Sequence, residues 1–293
     1  MTAPALAPAT PAARRRLPLP ATSWVFLTAG VLLVAHILVA AFGPLLTPYD
    51  PLELLTGRPF AGPSAQHWLG TDSFGRDVLS RLVAGERIIL VQAVATSAVA
   101  VSVGALIGII AAYVRGWFDA TVMRLMELVL SFPSLIVGML LLTAVGRSPV
   151  TIVFIVAALF VAPVTTVVRA AALGVVLEDF VTASRLRGER NFAIARREIL
   201  PNVLPTVFVE FSLRTGYAAI LIGSLGFLGF GAAPPTPDWG LMINEGRDFL
   251  QAAPWTVLAP ALGLGSLVVA LSLFTEGITD LLSPRGLSGE ERV

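Results

Sequence analysis

Cysteine is absent from the 293 residues, and so is lysine: all 20 basic residues are arginine. Without thiols there are no disulfides, no iron–sulfur clusters and no thiolate zinc sites. Without lysine a Walker A loop, G-x-x-x-x-G-K-[ST], cannot be written and no lysine Schiff base can form. Histidine occurs only at His36 and His67, which excludes H-E-x-x-H and leaves no metal site to name. Charge of either sign is scarce, at 13% of residues against about 25% in a soluble domain. The net charge of +1 gives no basis for binding nucleic acid. If ATP and magnesium serve this protein, another chain binds them.

Apolar sequence takes the place of what is missing. Mean hydropathy is +0.83 and 56% of residues are hydrophobic, the composition of an all-α polytopic membrane protein embedded in a lipid bilayer. Residues 1–22, rich in Ala and Pro and carrying Arg14–Arg16, read as a disordered tail, and 283–293 as a second short polar tail. Between them, uncharged runs of membrane length predict six spans. The first covers 24–46, about 34 Å as a helix and too long for the apolar core of a signal peptide. The others cover about 88–114, 121–145 with a kink at Pro133, 148–177, 199–230 and 252–275. Gly104 and Gly108 give the second span a small-residue face for close helix contact.

Two Pro/Gly-rich loops interrupt the spans, at 47–87 and 231–251. In the first, Phe74, Val78, Leu79, Leu82 and Val83 recur at helical spacing, which predicts an amphipathic helix lying at the interface ahead of the second span. His67, with no second imidazole or thiol nearby, reads as a loop residue. The fifth span holds Glu210 and Arg214 at i,i+4, roughly 14 to 20 Å from Pro201 along the helix. Charges at such depth cost about 2.5–3.5 kcal/mol each on insertion scales, so both face protein or water. A structural ion pair and the lining of a translocation path are both open at this point.

The longest charged run lies between the fourth and fifth spans, at 178–202: EDFVTASRLRGERNFAIARREILPN. Two short helical pieces broken at Gly188 are expected, with Asn191 capping the second and Pro201 in the first turn of the next helix. A positive-inside loop explains the charge alone. Phe180, Val181, Ala183, Leu186, Phe192, Ile194 and Ile199 exceed what a solvated loop requires and point to a docking element. With the N-terminus inside, thirteen arginines fall on the cytoplasmic side and six on the outer side, which supports N-in, C-in.

Three stretches resemble the permease subunits of binding-protein-dependent ABC importers of the dipeptide, oligopeptide and nickel type. GTDSFGRDVLSR (70–81) is similar to the family's G-T-D-x-x-G-R-D-V-x-S-R. FVTASRLRG followed by ILPN (180–202) is similar to its E-A-A-x-x-x-G coupling motif. FLGFGAAPPTPDWGLMINEGR (227–247) is similar to its F-L-G-x-G-x-x-P-P-x-P-x-W-G-x-M-x-x-x-G-R. The resemblance covers about 17–286. It implies a multi-pass protein of the bacterial inner membrane, not itself an enzyme, that moves peptides or a related small solute. Implied partners are a second homologous permease, one or two ATPase subunits holding ATP and magnesium, and an extracytoplasmic substrate-binding protein. On this resemblance the coupling segment 178–198 meets the ATPase through Phe180, Val181, Thr182, Ala183, Ser184, Arg185, Gly188 and Asn191. Glu210 and Arg214 stay candidates for lining the translocation path, and the resemblance implies that Asp72, Arg76, Asp77, Pro234 and Trp239 meet the binding protein. The chain departs from the family at Thr182-Ala183-Ser184, where Glu-Ala-Ala is usual, at Glu198, where His is frequent, and at Glu210 and Arg214.

Two other classes are weighed against this. An intramembrane protease needs a framed nucleophile, and neither Ser131 nor Ser224 sits in G-x-S-x-G. A secondary transporter or channel could use Glu210 and Arg214 for ion coupling, but it has no need of the docking segment, and no inverted repeat is visible.

Overall fold

The computed structural model describes residues 21–45 and 47–282, and the two predicted tails fall almost wholly outside them. All described secondary structure is helical apart from one isolated bridge, Thr71 to Asp77. Ten helices follow in order: α1 Ala21–Phe42, α2 Val78–Val114, α3 Gly116–Leu130, α4 Ser134–Val145, α5 Pro149–Val176, α6 Asp179–Leu186, α7 Asn191–Ile194, α8 Leu200–Phe227, α9 Trp239–Gly246 and α10 Trp255–Leu282. Four are long and apolar enough to cross a membrane, counting α7 and α8 as the continuous run Asn191–Phe227; α3 and α4 together give up to five.

Local chemistry sets the boundaries. Asp77 caps α2, its Oδ2 accepting from the Ser80 amide at 2.8 Å. Ser148 caps α5 ahead of Pro149, its Oγ accepting from the Thr151 amide at 3.0 Å. α2 stops where Arg115 and Gly116 take φ of 60° and 65°.

The expected third span is not one helix. α3 and α4 meet at 87° across Ser131–Pro133, because Pro133 has no amide to continue the ladder and disfavours helical geometry at Phe132. The amphipathic interfacial helix is also corrected. Residues 70–77 form turns, with Gly75 at φ 70°, and helix begins only at Val78 because the Asp77 carboxylate is spent on capping. The predicted first loop therefore ends at 77 and not at 87.

The longest seam runs between α2 and α5. A Cβ on Gly108 would stand 2.8 Å from the Thr165 carbonyl oxygen and 2.9 Å from the Arg169 amide nitrogen, so only glycine permits this approach. Two apolar cores flank the seam. One, around Ile89, Leu142, Ile222, Leu225 and Trp239, fills the end that carries loop 47–77 and α9, here the cap end. The other, around Ile109, Val168, Val181, Ile194 and Ile199, fills the end that carries 178–198, here the arginine end. Leucine, valine and phenylalanine side chains on α1, α4 and α8 remain exposed, the surface a bilayer covers.

Candidate functional site

The cap end is built on buried charge. Asp72 Oδ1 accepts from the amides of Phe74 and Arg76 at 2.8 and 3.0 Å, and its Oδ2 accepts from Arg76 Nε at 2.6 Å. Arg76 and Arg81 are 2% and 1% exposed, and both donate to Glu245 Oε2 of α9, at 2.9 and 3.3 Å. Asp77 Oδ1 lies 2.9 Å from His67 Nδ1, whose other ring nitrogen faces the Thr56 carbonyl at 3.2 Å. His67 is thus a buried loop residue. Trp239 is wholly buried and donates from its ring nitrogen to the Leu82 carbonyl at 2.8 Å. Asp238 caps α9 by accepting from the Leu241 amide at 2.9 Å. Burial pushes its carboxyl above the usual carboxylate range, against the opposing pull of the Leu241 and Gly240 amides.

Of the five residues expected to face a binding protein, the structure therefore encloses three. Arg76, Asp77 and Trp239 have their side chains buried and partnered within the chain, which corrects that expectation for them. Asp72 is half-buried and Pro234, in a cis bond to Pro235, is exposed.

Within the bundle, Glu210 Oε2 accepts from Arg214 Nε at 2.9 Å, and Glu210 is 4% exposed. The Arg214 guanidinium stands 5.8 Å from the Phe160 ring and 5.5 Å from that of Tyr217. The i,i+4 spacing forms the pair the sequence allowed. A second buried pair escaped it: His36 Nδ1 of α1 lies 2.9 Å from Glu86 Oε1 of α2.

At the arginine end, α6 and α7 are separated by Gly188 at φ 72°, where an L side chain is strained. Val181, Ser184, Ile194 and Ile199 are buried and pin the segment against the ends of α2 and α5. Phe180, Leu186 and Phe192 are exposed, Leu186 by 85% and Phe192 by 76%. Thr182 is exposed and Ala183 half-buried. Arg187 holds the turn, donating to Ser184 Oγ at 2.6 Å and to Glu189 Oε1 at 2.7 Å. Asn191 is not a cap: Arg190 occupies that position, and the Asn191 side chain accepts from the Tyr113 hydroxyl at 2.9 Å. The Arg185 guanidinium lies 4.6 Å from the Tyr113 ring centre. A groove of about 560 Å³ opens here between Ile109, Ile110, Tyr113, Arg185, Asn191 and Phe192. A turn of π-helix at Ala195–Ile199 then carries the chain into α8.

Residues 104–286 match the model of the binding-protein-dependent transport system inner membrane component. The chain belongs to this family. It is a permease component of an ABC-type importer and a multi-pass inner membrane protein. The dipeptide transport system permease protein DppC of Alkalihalophilus pseudofirmus is 34% identical over 255 residues, 87% of this chain and 84% of the relative. The glutathione transport system permease protein GsiD of Pectobacterium atrosepticum is 33% identical over 262 residues, covering 89% and 87%. GsiD of Escherichia coli O157:H7 is 34% identical over 260 residues, covering 88% and 86%. Among the described residues of the permease no group of three His, Cys, Asp or Glu stands close enough to hold a metal ion.

Sequence reasoning missed Tyr113, Glu245 and Arg81. Glu245 and Arg81 sit inside the two motifs already singled out. Tyr113 stands at the end of an apolar helix, and no local pattern marks it.

Proposed function

We propose that this permease imports peptides, the cargo class suggested by its dipeptide and glutathione relatives. It pairs with a second, homologous permease, and ATPase subunits that hold ATP and magnesium grip the segment 178–198. Six crossings follow from α1, α2, the α3–α4 elbow, α5, α8 and α10, with both termini in the cytoplasm, where most arginines lie. A substrate-binding protein meets the opposite face through Asp72 and Pro234 and the loops that hold them. Glu210 and Arg214 shape the path between the two permeases.

One observation carries this reading. Residues 178–198 bury Val181, Ser184 and Ile194 in the bundle while Phe180, Leu186 and Phe192 stand exposed on a charged surface. Such a segment is anchored on one side and unfinished on the other, the form of a docking element. In the ABC mechanism, closure of the ATPases on ATP rocks such segments and switches the path between inward- and outward-facing states. Ser184 and Val181 serve here as anchors, and Phe180, Thr182, Arg185 and Asn191 as the face.

The test is purification of the tagged chain from its native membrane with identification of the chains that accompany it. A homologous permease with Walker-containing ATPases supports the assembly, and a co-purifying binding protein reports the cargo. A chain recovered alone or as a homo-oligomer would sink it.

A further inference from the structure

Three of the four long apolar helices contain proline: α5 at Pro163, α8 at Pro205 and α10 at Pro260. α2 contains none over its 37 residues. At about 1.5 Å per residue it is about 55 Å long, well beyond a hydrocarbon core of about 30 Å. A helix without proline keeps every rung of its ladder, and the three glycines of α2, Gly85, Gly104 and Gly108, are each packed closely against a neighbouring element, which leaves them no room to hinge.

Neither end of α2 is free. At the cap end Asp77 caps it, Arg81 is held by Glu245 of α9, and the Leu82 carbonyl accepts from Trp239. At the arginine end the Tyr113 hydroxyl donates to Asn191 and the Tyr113 ring faces Arg185. Loop 47–77 and α9 are thus joined through one stiff element to the segment 178–198. The other routes are softer: α3 has no buried residue and ends in the 87° elbow, and α8 enters the bundle through a π turn and Pro205.

We propose that α2 is a rigid rod that carries the state of the cap to the coupling segment, with Tyr113 as the positioning residue at its inner end. The proposal rests on the reading above, in which the cap receives the binding protein and 178–198 docks on an ATPase. Arrival of the binding protein displaces the cap, α2 moves with it because Arg81 and Leu82 are tied into that cap, and Tyr113 draws Asn191 and Arg185 along.

The absence of native cysteine makes the test direct. A single cysteine at Glu178, exposed at the start of the segment and outside the residues assigned to its docking face, takes a spin label, and the full complex with its second permease and ATPases is reconstituted in lipid vesicles. Cargo-loaded binding protein is expected to change the label's spectrum and to stimulate ATP hydrolysis. Tyr113→Phe keeps the ring and removes the hydroxyl. It is expected to cut that stimulation about fivefold, the worth of one hydrogen bond, and to blunt the spectral change. Basal hydrolysis and ATPase co-purification stay as they were. Tyr113→Ala, which also removes the ring beneath Arg185, goes further in the same direction. Full stimulation with an unaltered spectral response in both variants would overturn the rod. Loss of the ATPase from the Tyr113→Phe complex would overturn it too, by making Tyr113 a docking residue. If the unsubstituted complex carries no ATPase, the importer assembly fails with it, and that failure is visible before any substitution is made.

Discussion

The two ends of the bundle handle charge in opposite ways. At the cap end Arg76, Arg81, Asp72 and Glu245 lie in or near the interior and answer one another, and Trp239 fills the space beside them. At the arginine end Arg187 alone forms an ion pair within 178–198 among the described residues, and leucine and phenylalanine stand in the open. A buried charge must find its partner inside the chain, since each unpaired ion costs several kcal/mol. An exposed arginine carries no such obligation. The cap therefore meets most of its charge within the chain, whereas the arginine end leaves most of its arginines without an ion partner among the described residues.

The contrast breaks most sharply if a cap residue is removed. Arg76→Ala leaves Asp72 and Glu245 without their closest cation. The expected loss is about 3–5 kcal/mol of stability, read as a lower thermal midpoint and a poor yield of the detergent-purified chain. A variant that unfolds like the parent would show the cap to be loosely held. Next in size is Glu210→Leu, which strands Arg214 inside the bundle at an expected cost of about 3 kcal/mol, whereas Glu210→Leu with Arg214→Leu should recover most of it. If the double variant is no better than the single, the residues do not act as a pair.

Gly188 tests the arginine end. Gly188→Ala at φ 72° should cost about 1–2 kcal/mol locally, and Gly188→Pro cannot adopt that φ at all. Both are expected to insert in the membrane normally, with ATP-dependent uptake reduced by the first and abolished by the second. Normal uptake with Gly188→Pro would remove the docking role. Smaller still for the chain itself is Leu186→Ser with Phe192→Ser. Its stability should move by less than about 0.5 kcal/mol, because neither side chain packs inside. ATPase co-purification is nevertheless expected to fall at least tenfold, since exposed apolar anchors carry interfaces.

What could be read without coordinates divides along the same line. Hydropathy located the long apolar helices because apolar length is a local property, and it placed α5 to within a residue at each end, but α2 begins at Val78, ten residues before the expected span. Pro133 announced an interruption, but its 87° angle depends on what α3 and α4 pack against. The Glu210–Arg214 pair was legible because helix geometry sets i,i+4 neighbours. Phe74 misled: its spacing to Val78 and Leu82 suits a helix, yet Asp77 is used as the cap and leaves Phe74 in a turn. Arg76 meets Glu245 across 169 positions and Tyr113 meets Asn191 across 78, and no local pattern records either contact. For that reason Arg76, Asp77 and Trp239 read as surface motif residues and proved to be interior ones.

The smallest effect expected at the cap is one of pH, and it isolates burial from pairing. Asp238 is buried without a cation beside it, held instead by the Leu241 and Gly240 amides. Its folded pKa is raised above the unfolded value, so the folded state binds the proton more tightly than the unfolded chain does. By linkage, stability then falls as pH rises from the ordinary carboxylate range through the raised value and is recovered on acidification. This is the reverse of what a salt-bridged carboxylate contributes. Asp238→Asn keeps an oxygen for the Leu241 amide and removes the titration. The thermal midpoints of parent and variant should therefore converge on the acid side, with the variant equal or higher at neutral pH. A parent that instead gains stability relative to the variant as pH rises would mean that Asp238 has found a cation, and that the cap holds all its charges by pairing.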